Sequence, residues 1–371
     1  MKITVVAFDL SDNAAGRADL LARLLAPRYE VAVVGPRFGP AEWAPLQSSI
    51  IPYHGVPAGR WPGFRKVIGE LVRLVDGDLI YASKPRPTSY GLGLLAQFRR
   101  PRPLVLDIDD WELGFFYRSG FWGRAGRALN VGNPNGLPWT WLTEWLVPRA
   151  DAITVASRFL EGRFGGLLIP HVRDTDVWDP ARYDRTKSRA ELGLDDRPVV
   201  MFLGTPRGYK GVDDLVAAVG RLRGEAVLVI VGARPESVAA RQWARHPFVK
   251  VVGEIPFDDV PRYLMAADIV AVPQRDTSDT VGQLPAKLFD AMALARPIVA
   301  TAVSMIPEVL HECGVVVGPG DIDALAAGIR RLLADPAAAA VLGQRARDRC
   351  VADYSFTAAR ARLFPLIESL K

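Results

Sequence analysis

The sequence predicts an α/β protein built from two doubly wound domains, each with a parallel sheet. Short apolar runs alternate with segments of helical period along the whole chain. That is the pattern of strands buried on both faces with helices between them. The alternation lapses once, between residues 170 and 198, and then restarts. The length of 371 residues also suits two domains of roughly 150–200 residues each.

In the first half, residues 3–8 (ITVVAF) form a continuous apolar run and read as the opening strand. Residues 14–25 space their apolar side chains at helical intervals, and 29–34 (YEVAVV) return to a strand. Helical spacing over 66–75 is followed by an extended stretch at 78–82 (DLIYA), then by helix at 89–98 and strand at 103–108. Residues 151–157 (DAITVAS) read as a strand that ends in a polar cap. The stretch from 170 to 198 is rich in Asp, Arg, Pro and Trp and is the expected linker. Beyond it the predicted strands are 199–203, 226–231, 249–252, 269–272 and 298–300. The predicted helices are 212–222, 260–266, 284–293, 322–333 and, last, 355–370. Two such domains would leave a cleft between their strand carboxyl ends, where ligands of this architecture bind.

Composition is that of a globular protein, 49% hydrophobic and 23% charged. The net charge of +5 is unevenly spread: residues 1–190 hold 25 Lys and Arg against 19 Asp and Glu, and the rest 21 against 22. The first half therefore suits an anionic partner such as a membrane surface or a phosphorylated acceptor, or simply carries a few extra solvated arginines. Cys313 and Cys350 are the only cysteines and suggest neither a metal site nor a disulfide framework. A reducing cytosol is the expected compartment. The N-terminal apolar run is too short for a signal peptide, and no apolar stretch approaches the roughly 20 residues of a membrane span.

Two segments carry the chemistry. Residues 204–211 (GTPRGYKG) form a glycine-rich turn after a predicted strand and hold two cations, Arg207 and Lys210. Residues 284–293 (LPAKLFDAMA) open a helix at Pro285, whose free N–H groups would face the polar loop 276–283. Exposed N–H groups, a helix N-terminus and full positive charges are the parts needed to hold a diphosphate. A surface turn with two solvated cations is the plainer alternative. Lys287 and Asp290 stand three apart on one helix face, as a surface ion pair or as substrate contacts. A buried carboxylate at Asp290 would accept two hydrogen bonds from a vicinal diol such as ribose.

With these segments in view, the second half resembles the retaining GT-B glycosyltransferases of group 1, or family 4. The resemblance runs in order through 204–215, VGEIP at 252–256, 263–273, 284–300, IPEVL at 306–310 and 314–325. It is looser in the first half, at 151–159 and 171–180. It implies Rossmann-like domains at 1–178, for the acceptor, and 192–355, for a UDP-, GDP- or dTDP-linked sugar. The helix 356–371 would cross back to the first domain. It implies metal-independent transfer with retention, the donor serving as co-substrate with no other cofactor. Arg207 and Lys210 would neutralise the diphosphate. The backbone at Glu254 and Ile255 would meet the base, and the N–H groups of Gln283 and Leu284 the phosphate or donor sugar. Asp290 would hold the ribose, and Gly16 would approach the phosphates from the first domain. The family's first acid of a pair falls at Gly282, so the usual donor-sugar carboxylate is missing. Asp276 or Asp279 would then substitute, or backbone groups would read the sugar. A nucleotide-sugar epimerase and a non-catalytic binder are the rivals.

The first half adds an acidic cluster, LDIDDWE at 106–112. Strand alternation puts Asp107 and Asp109 on one face and Asp110 on the other. Capping, a divalent cation and an active-site role all suit such acids. By position Asp109 would orient the acceptor hydroxyl or hold a cationic acceptor group. Lys84 and Asp110 would line the same cleft, unless Lys84 is a solvated loop cation. Five of the nine tryptophans fall in 111–146, among Phe115, Phe116, Tyr117, Phe121, Arg118, Arg124 and Arg127. That mixture suits a packed helical pair, a pocket for a saccharide, lipid-linked or small-molecule acceptor, or peripheral contact with the inner membrane face. No nucleic-acid motif accompanies the charge.

Overall fold

The computed structural model describes residues 1–46, 49–117, 121–278 and 280–371, with backbone alone at positions 117, 121, 122, 124 and 125. It divides into two compact units, residues 1–170 with 359–371, and residues 171–358.

The first unit is built on β1 (Lys2–Val6), β2 (Glu30–Arg37), β3 (Tyr53–Pro57), β4 (Leu79–Ser83), β5 (Leu104–Ile108), β6 (Ala152–Val155) and β7 (Leu167–Leu168). Their order is β3-β2-β1-β4-β5-β6-β7, and every pairing is parallel. The central strands are apolar because both of their faces are covered; Ile80, Tyr81, Leu104 and Leu106 are fully buried. The order reverses between β1 and β4, which makes a crevice at their carboxyl ends.

The second unit repeats the plan with β8 (Val199–Leu203), β9 (Val227–Val231), β10 (Val249–Val252), β11 (Ile269–Val272), β12 (Ile298–Thr301) and β13 (Val315–Val317). The order is β10-β9-β8-β11-β12-β13, again all parallel. The reversal here lies between β8 and β11. The loops at 204–211 and 273–285 leave those two strands and so meet at the switch point. The helix Val212–Gly220 buries Leu215 and Val219 in a core shared with Phe202 and Ile230.

The expected linker is a folded part of the second unit. Residues 185–191 form a helix, Arg185–Glu191, capped by Asp184, whose Oδ1 accepts from the Lys187 N–H at 3.0 Å. Arg189 reaches Asp268 at 3.0 Å, and Arg262 reaches Glu191 at 2.8 Å. These charged partners lie some 70–80 residues away, where no local period reveals them. The unit boundary falls at 170/171 instead of 178.

The last helix, Phe356–Glu368, contributes residues from 359 onward to the first unit. Arg360 donates to the Leu24 and Arg23 carbonyls at 3.1 Å each, and Phe364 meets the Tyr29 ring edge-on at 5.9 Å. Between 111 and 146 the chain forms short helices, Gly114–Tyr117, Phe121–Ala128 and Leu137–Trp145. Trp111 packs on Phe159 beneath the Arg163 guanidinium, and Trp139 packs on Trp61. Trp141 and Trp145 stay 58% and 66% exposed. Arg118 lies outside the described residues, as do the side chains of Tyr117, Phe121, Trp122 and Arg124.

Candidate active site

In the second unit the site starts where β8 ends. Gly204 takes φ +112°, a conformation open to glycine, and lies against Gly232, where a Cβ would stand 2.9 Å from the Gly204 carbonyl carbon. Gly211 takes φ +67°, and a Cβ there would stand 1.7 Å from the Pro273 carbonyl oxygen. The turn after β8 therefore rests directly on the loop after β11. Arg275 ties the two together: its N–H donates to the Tyr209 carbonyl at 2.8 Å, and its guanidinium grips Asp214 at 2.7 and 2.6 Å. Lys210 Nζ donates to the Thr205 carbonyl at 2.8 Å, and Arg207 is exposed at the rim.

The loop after β11 is ordered by Thr280. Its hydroxyl donates to the Arg275 carbonyl at 2.8 Å and accepts from the Thr277 N–H at 2.9 Å. The Gln283 N–H donates to the Thr280 carbonyl at 3.0 Å, and the Gln274 side-chain amide reaches the Gln283 side-chain oxygen at 3.3 Å. Gly282 and Leu284 are buried, Asp276 is exposed, and Asp279 lies outside the described residues. Pro285 stands at the N-cap of the helix Ala286–Ala293 and offers no side-chain cap to its first N–H groups.

Lys287 and Asp290 are not a surface pair. Lys287 Nζ sits 3.7 Å from the centroid of the Phe202 ring. Burial, followed by the charge of Lys210, holds this lysine well below its ordinary pKa, with Asp290 only partly offsetting the two. Asp290 is 4% exposed and is ion-paired with Arg173. Burial pushes the carboxyl up, while Arg173 opposes the shift. Arg173 is itself held in place, donating to the Val172 carbonyl at 2.7 Å beneath the Trp178 ring. Sequence reasoning missed Arg173; its one signal was being the cation of the 171–180 run. Glu254 is exposed after β10 and lies 3.6 Å from Arg234, with Ile255 half-buried beside it.

The first unit holds a separate charged cluster at the carboxyl ends of β4 and β5. Lys84 follows β4 at φ +74° and is fixed there by three hydrogen bonds. Its N–H donates to the Asp107 carbonyl at 2.8 Å, and its own carbonyl accepts from the Arg86 N–H and the Ser89 hydroxyl, each at 2.8 Å. It is a buried cation, 4% exposed, and not a solvated one. Its Nζ meets Asp109 at 2.5 Å, Asp110 at 3.0 Å and Glu112 at 3.1 Å. Burial alone would pull the ammonium down, but the three acids outweigh it and hold Lys84 well above its ordinary range. Arg86 pairs with Glu112 and donates to the Asn135 carbonyl at 2.7 Å.

The strand ends at Ile108, so the two-residue alternation ends with it. Asp109 and Asp110 consequently converge on Lys84 instead of facing opposite ways. Asp107 alone turns to the other cation, Arg17, at 2.9 and 2.8 Å. Arg17 is buried and also donates to the Ile169 and Pro170 carbonyls at 2.7 and 3.1 Å. Neither Arg17 nor Glu112 was singled out from the sequence. Two cations face three acids in the Lys84 cluster, an excess of one negative charge. Burial first, then Asp109 and Glu112, push Asp110 up to about 6 against the pull of Lys84. The three carboxylates place oxygens within 4.8 Å of one another, a spacing that suits a metal ion, but the Lys84 ammonium contacts all three. Gly16 lies in the first turn of the helix Ala15–Leu25, where a Cβ would stand 3.2 Å from the Trp43 ring.

Comparison with known proteins adds to this geometry. Residues 14–175 match the family described as Glycosyl transferase 4-like domain, and residues 197–335 that described as Glycosyl transferases group 1. The chain is 30% identical over 237 residues to a GDP-mannose-dependent alpha-(1-6)-phosphatidylinositol monomannoside mannosyltransferase of Mycolicibacterium smegmatis, covering 59% of this chain and 62% of that one. It is 33% identical over 247 residues to alpha-maltose-1-phosphate synthase of the same organism, covering 58% and 62%. The chain thus spans 62% of the length of these relatives. Among solved structures, Anabaena HepE in complex with UDP-glucose superposes with a TM-score of 0.78 at 20% identity, covering all of both chains. Sucrose-phosphate synthase from Thermosynechococcus elongatus gives 0.76 at 20% identity, covering 100% and 99%.

Proposed function

The chain belongs to the group 1 family of glycosyl transferases, and from that premise we propose that it moves a glycosyl unit from a nucleoside-diphosphate sugar to an acceptor hydroxyl, with retention and without a metal. One observation carries this reading. The glycine turn with Arg207 and Lys210 is seated on the loop after β11 at the switch point of the second unit. Bond cleavage at the anomeric carbon leaves negative charge on the departing diphosphate. Cations and N–H groups already aimed at that charge stabilise the transition state more than the ground state.

In this reading Arg207, Lys210 and the Leu284 N–H hold the diphosphate and donor sugar, while the Gln283 N–H is already taken by the Thr280 carbonyl. Glu254 and Ile255 meet the base through their backbone. Asp290 serves the ribose, its carboxylate fixed from one side by Arg173. Asp109 orients the acceptor, with Lys84 and Asp110 beside it. Metal independence is supported by the full charges of Arg207 and Lys210. The Lys84 ammonium, in contact with Asp109, Asp110 and Glu112, points the same way. The acceptor is a saccharide, a lipid-linked sugar or a small molecule.

Among the described residues no helix is long and apolar enough to cross a membrane. Peripheral contact through 111–146 is supported by Trp141 and Trp145, one helical turn apart and both exposed. Failure to co-sediment with anionic vesicles at low salt would remove that part. The function itself is tested by incubation with GDP-mannose, then UDP- and dTDP-sugars, across an acceptor panel, with products followed by NMR. Release of nucleoside diphosphate with an α-linked glycoside is expected for an α-linked donor. An isomeric nucleotide sugar without glycoside would make it an epimerase, and donor binding without turnover a binder.

A further inference from the structure

We propose that Lys287 is a third cation of the diphosphate cradle, and that it enters this role by taking up a proton as the donor binds. The proposal deepens the reading above and rests on it. Lys287 stands in the first turn of the helix Ala286–Ala293, just after the loop that follows β11. Its Nζ reaches the start of the glycine turn, 3.7 Å from where a Cβ on Gly204 would stand. Beneath it lies the Phe202 ring, at 3.7 Å. Among the described residues the ammonium has no hydrogen bond and no ion pair. A half-buried amine beside a glycine turn, supported from below by an aromatic face and with no hydrogen bond or ion pair among the described residues, is placed to receive an anion.

The charges around it explain why a proton must arrive with that anion. Lys210, on the turn 208–210, repels it. Asp290, on its own helix, is the attractive neighbour, but that carboxylate is ion-paired with Arg173. Two lysines with one committed acid leave Lys287 short of compensation, and burial favours its neutral form. A diphosphate reverses the balance, since two negative charges stabilise the ammonium. The neutral amine takes one proton from solvent and becomes an ammonium on the phosphate oxygens; no bond to carbon or phosphorus changes. The sign follows from linkage: the bound state holds one more proton than the free state. Affinity therefore falls as pH rises through the window between the free and bound pKa of Lys287.

The test is calorimetric titration of the full chain with GDP-mannose and UDP-glucose, whose phosphate diesters do not titrate near neutrality. Runs at one pH in buffers of different ionisation enthalpy count the protons. Wild type is expected to take up as much as one proton per donor bound, with affinity declining toward alkaline pH. Lys287→Met should bind about tenfold more weakly, with no uptake and a flat pH profile. Its melting temperature without ligand should be no lower than wild type, because a half-buried, uncompensated amine is removed. Lys287→Arg, always charged, should restore tighter binding without uptake. Arg207→Ala should bind weakly yet still take up the proton. Donor binding without proton uptake in wild type, unchanged by Lys287→Met, would overturn this proposal and leave the proposed function standing. No binding of any nucleoside-diphosphate sugar by wild type would overturn both.

Discussion

Replacing Lys84 with methionine removes one charge and leaves three acids behind. The ammonium contacts Asp109, Asp110 and Glu112 within 3.1 Å, and two of these, Asp109 and Glu112, are 6% and 3% exposed. Among the described residues, Arg86, paired with Glu112, remains to compensate them, while Arg17, which also feels Asp109, is committed to Asp107. Breaking a buried pair by deleting one partner costs about 3–5 kcal/mol, because the other charge stays buried. That is a large share of the roughly 5–15 kcal/mol that holds a domain folded. At a urea slope of about 2 kcal/mol/M the midpoint for the first unit should drop by about 2 M at pH 8. The deficit should shrink at pH 5. Acids whose folded pKa is raised bind more protons in the folded state, so stability rises as pH falls through the raised value. Asp110, pushed up to about 6, already behaves so in wild type between about 6 and the ordinary 3.8. In Lys84→Met the lowering pull of the ammonium on Asp110 is gone, so this effect should grow. Urea unfolding at pH 8 and pH 5 measures both effects. A loss below about 1 kcal/mol at pH 8, or an equal loss at the two pH values, would refute the electrostatic account of the cluster.

Other perturbations have separate outcomes. Arg207→Ala and Lys210→Ala should each reduce turnover on the order of a hundredfold at saturating donor, about 3 kcal/mol of barrier; wild-type turnover in either would remove that residue from the diphosphate. Arg173→Leu should destabilise the second unit by about 3 kcal/mol by stranding Asp290, with partial recovery in the double variant Arg173→Leu/Asp290→Asn; thermal melting that shows no coupling between the two would count against the pair. Gly211→Ala should abolish donor binding, since a Cβ 1.7 Å from the Pro273 carbonyl forces the two loops apart; unaltered binding would mean the loops move freely.

Much of the fold was legible because central parallel strands announce themselves. Residues 199–203 and 226–231 are buried on both faces and read as unbroken apolar runs. The edge strand β3 (YHGVP) was missed, since only Val56 of its five residues is buried. The helix Pro336–Asp353 was missed as well; its buried positions are alanines, a glycine and Cys350, too small to draw a stripe. The glycine turn at 204–211 was legible through glycine spacing, a local property. Arg17–Asp107, Arg173–Asp290 and the Lys84 cluster were not, because each depends on partners from separate elements. Alternation failed at Asp109 and Asp110 for a local reason, the strand having already ended at Ile108. The exposed tryptophans were legible only as composition. Trp111 and Trp139 proved to be packing residues, and Trp141 and Trp145 proved to be exposed.

The most direct measurement of the central claim is calorimetric titration of GDP-mannose and UDP-glucose into wild type and Arg207→Ala/Lys210→Ala. Wild type should bind at least one of the two, and the double variant should bind it at least a hundredfold more weakly while melting at the same temperature without ligand. Equal affinity in the two proteins would contradict the assignment of the 204–211 turn to the donor diphosphate.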